Sequence, residues 1–524
     1  MDRYNAAAWM LDRHVAQGRG DSVAIRCAGA STTYAEVLAD AWRVQSLLGE
    51  LAVAPGARVL LVLNDDPAFA CWFLGCIRCG VVPVPLSTMS TAPDLAAIAA
   101  DAAPDLVVIS AAYADRVNAM ADAAPSIRHA VVVGATDQLF AIRCVTWSEV
   151  PVATEHSVAA TSPEHPAFWL YSSGTTGLPK GVIHRHGSPQ ATFDSYATHV
   201  LGIGPDDRCL SVAKLFFAYG LGNSLTFPFG AGATSVLEPR RPTPAIVLDI
   251  VRAERPTLFF ASPGFVAALL DTDAPDDAFQ SVRATVTAGE ALPPDLQRRF
   301  SRRFGHPVLD GIGTTEALHI FLSNTIDSQS PGSSGHPVPG YSARLFDDEG
   351  AEVTQPDTAG YLHVHGPSIA DGYWQRDEAT DAAFHDGWLR TGDVYTRSAD
   401  DQWTFLGRNS DMIKAGGIWV SPAEVEGVLV AHPDILEAAV VGARNEDGLE
   451  QTVAFVVPRA GHIIDHVSVD AHCRAAMAPF KRPRRLIVVD ELPKTATGKI
   501  QRFSLRAQLD AQYQIDAQYQ IDAQ

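Results

Sequence analysis

The sequence predicts an α/β fold: a large multi-part N-terminal α/β domain that contains a small β-rich unit, followed by a small α+β C-terminal domain. Three observations predict it. Along most of the chain, short continuous apolar runs alternate with longer helical patterns, which implies strands joined by crossover helices. From Gly340 to Leu406 the texture changes to short strand patterns separated by Gly, Asp and Pro, as in a small β-rich unit. After the short polar segment Gly407-Arg408-Asn409-Ser410-Asp411 comes a compact stretch with strand and helix patterns of its own.

The elements follow in order. Arg58 to Leu63, Leu106 to Ser110, Ala130 to Val133 and Ala167 to Tyr171 are continuous apolar runs, as expected of strands buried on both faces. Pro67 to Cys79 and Pro93 to Ala103 carry helical patterns between them. Past residue 232 the spacing predicts a helix over Thr243 to Arg255, a strand over Thr257 to Ala261 and a helix over Pro294 to Phe304. The final part predicts a helix over Pro422 to Ala431, strands over Leu436 to Val441 and Thr452 to Val457, and a helix over Val469 to Met477. The division expected is 1–406, a linker at 407–411, 412–509, and a tail at 510–524. That tail repeats DAQYQI, and a period of six fits neither helix nor strand, so a disordered, solvated tail is expected.

The bulk numbers exclude several classes. A chain of 524 residues is too long for one ordinary core. Its formal charge of −20 argues against nucleic acid as the main partner. No apolar stretch approaches the ~20 residues of a membrane span, and Met1 to Gly20 carries Asp and Arg where a signal peptide has an apolar core. Seven scattered Cys suit a reducing cytoplasm. Cys76 and Cys79 form a C-x-x-C within what reads as a buried helix, with no second pair to complete a metal site.

The strongest local signal is Tyr171-Ser172-Ser173-Gly174-Thr175-Thr176-Gly177-Leu178-Pro179-Lys180-Gly181. Following a buried strand, the loop is expected at the carboxyl end of a sheet, where α/β enzymes bind ligands. Its glycines permit close backbone approach to a polyphosphate, its hydroxyls donate to phosphate oxygens, and Lys180 supplies charge. It is not a Walker loop, and no complete G-x-G-x-x-G occurs.

This string resembles the phosphate-binding signature of the adenylate-forming superfamily of acyl-CoA synthetases, adenylation domains and luciferases. The resemblance recurs in order along nearly the whole chain. Asp310-Gly311-Ile312-Gly313-Thr314-Thr315-Glu316 looks like its adenine- and metal-binding segment, and Trp388 to Asp393 like the segment whose Asp holds the ribose hydroxyls. Gly407-Arg408, followed by Asp411 to Lys414, looks like the hinge, and Pro493 to Lys499 like the C-terminal catalytic loop.

The resemblance implies ATP, Mg²⁺ and coenzyme A as reactants, with Lys499, Glu316 and Thr175 as catalytic residues. Lys499 suits the joining of two anions, a carboxylate and a phosphate, because positive charge is needed at the point of attack. Glu316 can hold Mg²⁺ while phosphates supply further oxygens. Ser172, Ser173, Gly174, Thr176, Gly177 and Lys180 are expected at the phosphates. Gly289, Glu290, Ala291, the 310–315 run, Asp393 and Arg408 are expected around the rest of the nucleotide.

Within the superfamily, Lys214 to Asn223, Ala288 to Pro293 and Leu318 to Asn324 closely resemble benzoate-CoA ligases. The likeness implies an aryl-acid pocket at Phe217, Ala218, Tyr219, Gly220, Gly313, His319 and Ile320. Both the Phe216 to Tyr219 cluster and His319 are also open to a reading as plain core. Gly416 and Gly417 resemble the loop that flanks the pantetheine. The basic run Lys481-Arg482-Pro483-Arg484-Arg485 fits CoA phosphates or a solvated charge run.

Two departures stand out. Ser410 replaces a second acidic residue at the pivot about which a mobile C-terminal domain is expected to turn. Phe260-Ala261-Ser262-Pro263-Gly264 also differs from the family's run, which puts the accepted ring substituents in doubt. The expectation is an aryl-CoA ligase acting on benzoate, 2-aminobenzoate or a hydroxybenzoate. A separate acyl carrier protein is the alternative acceptor, and a monomer and a homodimer are both compatible with the sequence.

Overall fold

Burial dictates the first sheet. In the computed structural model, which describes residues 3–172, 179–415, 418–444, 450–494 and 500–509, the runs Arg58–Val62, Leu106–Ser110 and His129–Val133 pair in parallel. Val82–Pro85 and Arg143–Thr146 complete that five-stranded sheet at its edges. The crossover helices Pro67–Arg78 and Ala92–Ala102 begin where side chains cap them. Asp66 accepts from the Ala68 amide at 2.9 Å, and Thr91 forms a reciprocal capping box with Asp94. Cys76 and Cys79 lie at the end of the first of these helices, where burial pushes both thiols up.

The second sheet has nine strands. Its parallel centre runs Val308–Gly313, Ala284–Thr287, Leu258–Ala261, Arg208–Ser211, Thr234–Leu237 and Val23–Cys27. Antiparallel strands close both edges, among them Ile320–Ser323 beside Val308–Gly313. Of the flanking helices, Pro294–Phe304 has the bounds its pattern predicts, and Pro244–Glu254 lies inside its predicted range. Thr243 and Arg255 are that second helix's caps: Thr243 accepts from the Ile246 amide, and Arg255 turns to φ 49°.

The run Ala167 to Tyr171 corrects the sequence reading. It is a strand, Pro166–Ser172, but it pairs antiparallel with Lys180–Arg185 in a two-stranded sheet. It is apolar on both faces because Phe168 and Leu170 enter one core while Trp169 enters another. The Gly/Thr loop therefore joins two antiparallel strands instead of leading from a parallel strand into a helix.

Ser342–Phe346, Gly360–His365, Phe384–His385, Trp388–Arg397 and Trp403–Arg408 form the expected β-rich unit. Gly407 and Arg408 thus end a strand, and Asn409–Asp411 makes one 3₁₀ turn. Beyond it, helices Pro422–Val430 and His466–Ala476 pack on the three-stranded sheet Ile435–Arg444, Glu450–Pro458 and Arg485–Val488. The second helix starts earlier than its apolar pattern because Asp465 caps it, accepting from the Val467 amide at 3.0 Å. The repeat 510–524 lies outside the described residues. Among the described residues no helix is long and apolar enough to cross a membrane.

Candidate active site

The parallel strands of the large sheet deliver their following loops to one end. The strand Val308–Gly313 carries Asp310, Gly311, Ile312 and Gly313 to it, then reverses into Ile320–Ser323. Between the two strands, Thr314 caps a short 3₁₀ turn by accepting from the Ala317 amide at 3.2 Å. Thr315 and Glu316 lie in that turn, and buried Leu318 completes the reversal at φ 66°. Gly313 is obligatory, since a Cβ would stand 2.4 Å from the His319 carbonyl oxygen. One hairpin therefore joins the expected adenine, metal and aryl residues. Burial raises the Asp310 carboxyl to about 8, against a lowering contribution from the Gly311 amide.

Asp393 is buried in the neighbouring β-rich unit. Its amide donates to Thr391 Oγ1, and Arg408 Nε stands 3.1 Å from its Oδ1. Arg408 also donates to the Thr391 carbonyl at 2.7 Å. This pairing holds the side chain expected at the ribose against the strand that ends at the expected hinge. Gly289 turns the chain after Ala284–Thr287 at φ 95°, followed by Glu290 and Ala291.

The phosphate hairpin is fixed at its base, where Ser172 pairs with Lys180. Ser173, Gly174, Thr175, Thr176 and Gly177 lie outside the described residues. Tyr171 donates to Asp101 Oδ2 at 2.7 Å, and Arg376 pairs with the other oxygen of Asp101. Lys180 Nζ stands 4.6 Å from the ring centroid of Tyr373, whose hydroxyl donates to Glu316 Oε1 at 2.8 Å. Neither Tyr373 nor Asp101 is marked by any motif in the sequence. A Tyr-Trp pair in a β-rich stretch reads as core, and Asp101 reads as a helix-end surface residue.

The aryl segment starts from a rigid tether. The Leu215 amide donates to both Asp65 oxygens, at 3.2 and 3.3 Å, and Lys214 Nζ donates to the Glu238 and Arg240 carbonyls. Sequence reasoning missed Asp65 because the adjacent Asp66, a helix cap, accounts for an acidic pair before Pro67. Tyr219 donates to the Val286 carbonyl at 3.0 Å, and its ring centroid lies 5.5 Å from that of His319. Gly220 is required because a Cβ would sit 2.1 Å from the Lys214 carbonyl oxygen.

His319 is enclosed by Phe227 and Tyr196, bonds through Nε2 to Asn223 Oδ1 at 3.1 Å, and is lowered by burial to about 3. It is a neutral buried ring, not a charge. Phe217 and Ala218 are half-buried beside Tyr219, and Ile320 is buried next to Gly311.

On the C-terminal side, Lys499, Gly416 and Gly417 lie outside the described residues. Ser410 is in the 3₁₀ turn, where its carbonyl accepts from Arg506 at 3.4 Å while Arg506 pairs with Asp411 at 2.7 Å. Arg459 reaches Asp271 of the N-terminal part at 3.0 Å. In the basic run, Lys481 pairs with Glu424 and Arg482 donates to the Met477 carbonyl, so two of its charges serve local structure.

Among the described residues no group of three or more His, Cys, Asp or Glu could hold a metal. Glu316 offers one hard carboxylate, half-buried. That fits an ion such as Mg²⁺, which takes one or two carboxylates and draws its other ligands from phosphates and water.

Residues 11–374 match the family described as AMP-binding enzyme, and residues 424–499 match the AMP-binding enzyme C-terminal domain. A benzoate–CoA ligase of Thauera aromatica is 43% identical over 512 residues, 97% of this chain and 96% of that protein. The crystal structure of a benzoate CoA ligase from Burkholderia xenovorans LB400 is similar with a TM-score of 0.88 at 39% identity, covering 96% of this chain and 100% of that one. An anthranilate CoA ligase solved with anthranoyl-AMP gives 0.91 at 34% identity, covering 96% and 97%. With both family matches in order along the chain and a relative this similar over nearly its full length, the protein belongs to the AMP-binding enzyme family.

Proposed function

We propose that this protein is an ATP-dependent, AMP-forming aryl-CoA ligase acting on benzoate-type acids. The observation that carries the reading is the single hairpin 308–323, which sets Glu316 beside Lys180's aromatic neighbour and His319–Ile320 beside Tyr219. A polyphosphate and a flat acid bound there would meet across one turn. The benzoate and anthranilate ligases similar to this chain support the choice of acid.

In the first half-reaction the acid's carboxylate oxygen attacks the α-phosphorus of ATP, and pyrophosphate leaves. Lys180 and the 172–177 run serve the departing phosphates, Asp393 and Arg408 the ribose side. Glu316 would hold Mg²⁺, which would neutralise charge on those phosphates. Lys499, on the loop after Pro493, supplies positive charge where the two anions join. Tyr219, His319 and Ile320 form a short apolar slot that orients a ring and excludes water, and the neutral His319 adds no charge to attract a second carboxylate.

In the second half-reaction the CoA thiol attacks the acyl carbon and AMP leaves. The C-terminal part, from residue 412 onward, turns about Ser410, withdrawing Lys499 and presenting Gly416 and Gly417 to the pantetheine. Pyrophosphate release across a panel of aryl and alkyl acids, with and without CoA, tests the reading. Turnover of dodecanoate comparable to benzoate would refute the slot. Pyrophosphate release with thioester formed only on a carrier protein would replace CoA as the acceptor.

A further inference from the structure

Tyr373 stands between two groups of opposite charge. Its face carries the Lys180 ammonium at 4.6 Å and its hydroxyl donates to Glu316 Oε1 at 2.8 Å. Among the described residues neither Lys180 nor Glu316 is in an ion pair. A lysine and a glutamate that contact the same ring could pair with each other, since both side chains are long and flexible. Here each engages Tyr373 instead.

The ring is itself built in. Gly372 adopts φ 140°, where a Cβ would come within 2.6 Å of Thr380 Cγ2, and Thr380 Oγ1 accepts from the Tyr373 amide at 3.0 Å. On either side the backbone bonds to the strand that starts at Lys180. Ile183 N donates to the Gly372 carbonyl at 3.1 Å, and Trp374 N donates to the Gly181 carbonyl at 2.8 Å. Ala370 N donates to the Glu316 carbonyl at 2.8 Å, so residues 370–374 bind Glu316 through backbone and side chain alike. The Trp374 ring lies tilted against Trp169, centroids 4.6 Å apart, and its Nε1 donates to the Asp101 carbonyl. The same short segment thus fixes the phosphate hairpin and the carboxylate hairpin relative to one another.

We propose that Tyr373 is a positioning residue for the metal–nucleotide complex. Its hydroxyl occupies Glu316 Oε1 and leaves Oε2 for a divalent cation. Its ring holds Lys180 off Glu316, so the ammonium stays available to phosphate. The inference rests on the proposed assignment of Glu316 to the metal and Lys180 to the phosphates.

Calorimetric titration of the full chain with ATP, once with Mg²⁺ and once with EDTA, separates the two roles. Tyr373→Phe keeps the ring, so binding in EDTA should stay within twofold while the tightening conferred by Mg²⁺ falls at least fivefold. Tyr373→Leu also frees Lys180 to pair with Glu316, so binding in EDTA should fall at least fivefold. Glu316→Gln combined with Tyr373→Leu should restore that binding. Thioester formation from supplied aryl-adenylate should be unchanged in Tyr373→Phe, with KM for MgATP raised.

If Tyr373→Leu does not fold, Tyr373→Phe alone decides. If Glu316→Gln abolishes the Mg²⁺ effect while Tyr373→Phe leaves it within twofold, the role of Tyr373 is overturned and the Glu316 assignment stands. If Glu316→Gln leaves the Mg²⁺ effect intact, both are overturned.

Discussion

Gly222 shows how one missing Cβ shapes the proposed acid pocket. A methyl there would stand 2.3 Å from His319 Cδ2, and the imidazole has no room to retreat between Phe227 and Tyr196. Gly222→Ala should therefore push His319 toward Tyr219 and cost about 1–3 kcal/mol of stability, the scale of overpacking a full core. KM for the aryl acid should rise more than KM for ATP. Denaturant unfolding with paired KM measurements checks it, and unchanged values of both would mean that His319 does not wall the pocket. Lys499→Ala should behave differently. In the proposed mechanism its charge is needed only while two anions are joined, so adenylate formation should collapse while thioester formation from pre-made aryl-adenylate survives. Equal losses in single-turnover measurements of the two halves would contradict the two-pose mechanism.

Among the elements, helices were the most legible and strand partners the least. Pro294–Phe304 announces itself through an initial Pro, a one-sided apolar pattern and a following Gly305 at φ 75°. The run Ala167 to Tyr171 announced a strand but not its partner. Continuous apolarity reports burial on two faces, and a hairpin wedged between two cores meets that condition as well as a parallel strand does. Tyr373 and Asp65 stayed silent for another reason: each bonds to a residue far away in sequence, and no local pattern encodes that.

The turn Asn409–Asp411 carries the element-scale prediction. The φ of proline is compatible with a 3₁₀ turn, so Ser410→Pro should leave the described pose intact while resisting the φ change that a swing demands. One half-reaction should fall steeply and the other persist, when pyrophosphate exchange and thioester formation from supplied adenylate are followed separately. Undiminished rates in both would place the pivot elsewhere.

For the molecule as a whole, buried histidines set the acid limit. Burial lowers His184 and His319 to about 3, and His14, His186 and His306 to about 4, from 6.5. A group whose folded value is depressed favours folding fully above its unfolded value and loses that contribution as pH falls. Below about 6.5, each such histidine should cost about 1.4 kcal/mol per pH unit until its folded value is reached. Asp65 and Asp310, raised by burial to about 6 and about 8, act in the opposite sense. Burial also raises Asp66, Asp371 and Glu426 and lowers His129 and His363, so lowered histidines still outnumber raised carboxylates and unfolding free energy should drop between pH 6.5 and 5. Denaturant midpoints at those two values check this, and equal midpoints would contradict it. The polarity of the chain hinted at none of this, because a histidine's burial is decided by tertiary packing. The two-part architecture, by contrast, was legible from changes in strand and helix texture.

The reversal at Leu318 has a consequence for anyone redesigning the substrate range. Glu316, on one side of that left-handed residue, and His319, on the other, share a single backbone bend whose register is pinned by Gly313 against Ile320. A larger or smaller side chain at 319 or 320 cannot shift its own backbone without moving Glu316, the carboxylate proposed to serve the metal and nucleotide. Variants selected for bulkier acids should therefore arrive with weakened ATP use as a by-product. The route to new acids that leaves this backbone bend in place starts from side chains outside it, at Tyr219 and the strand 258–261, which meet His319 and Ile320 through side-chain packing.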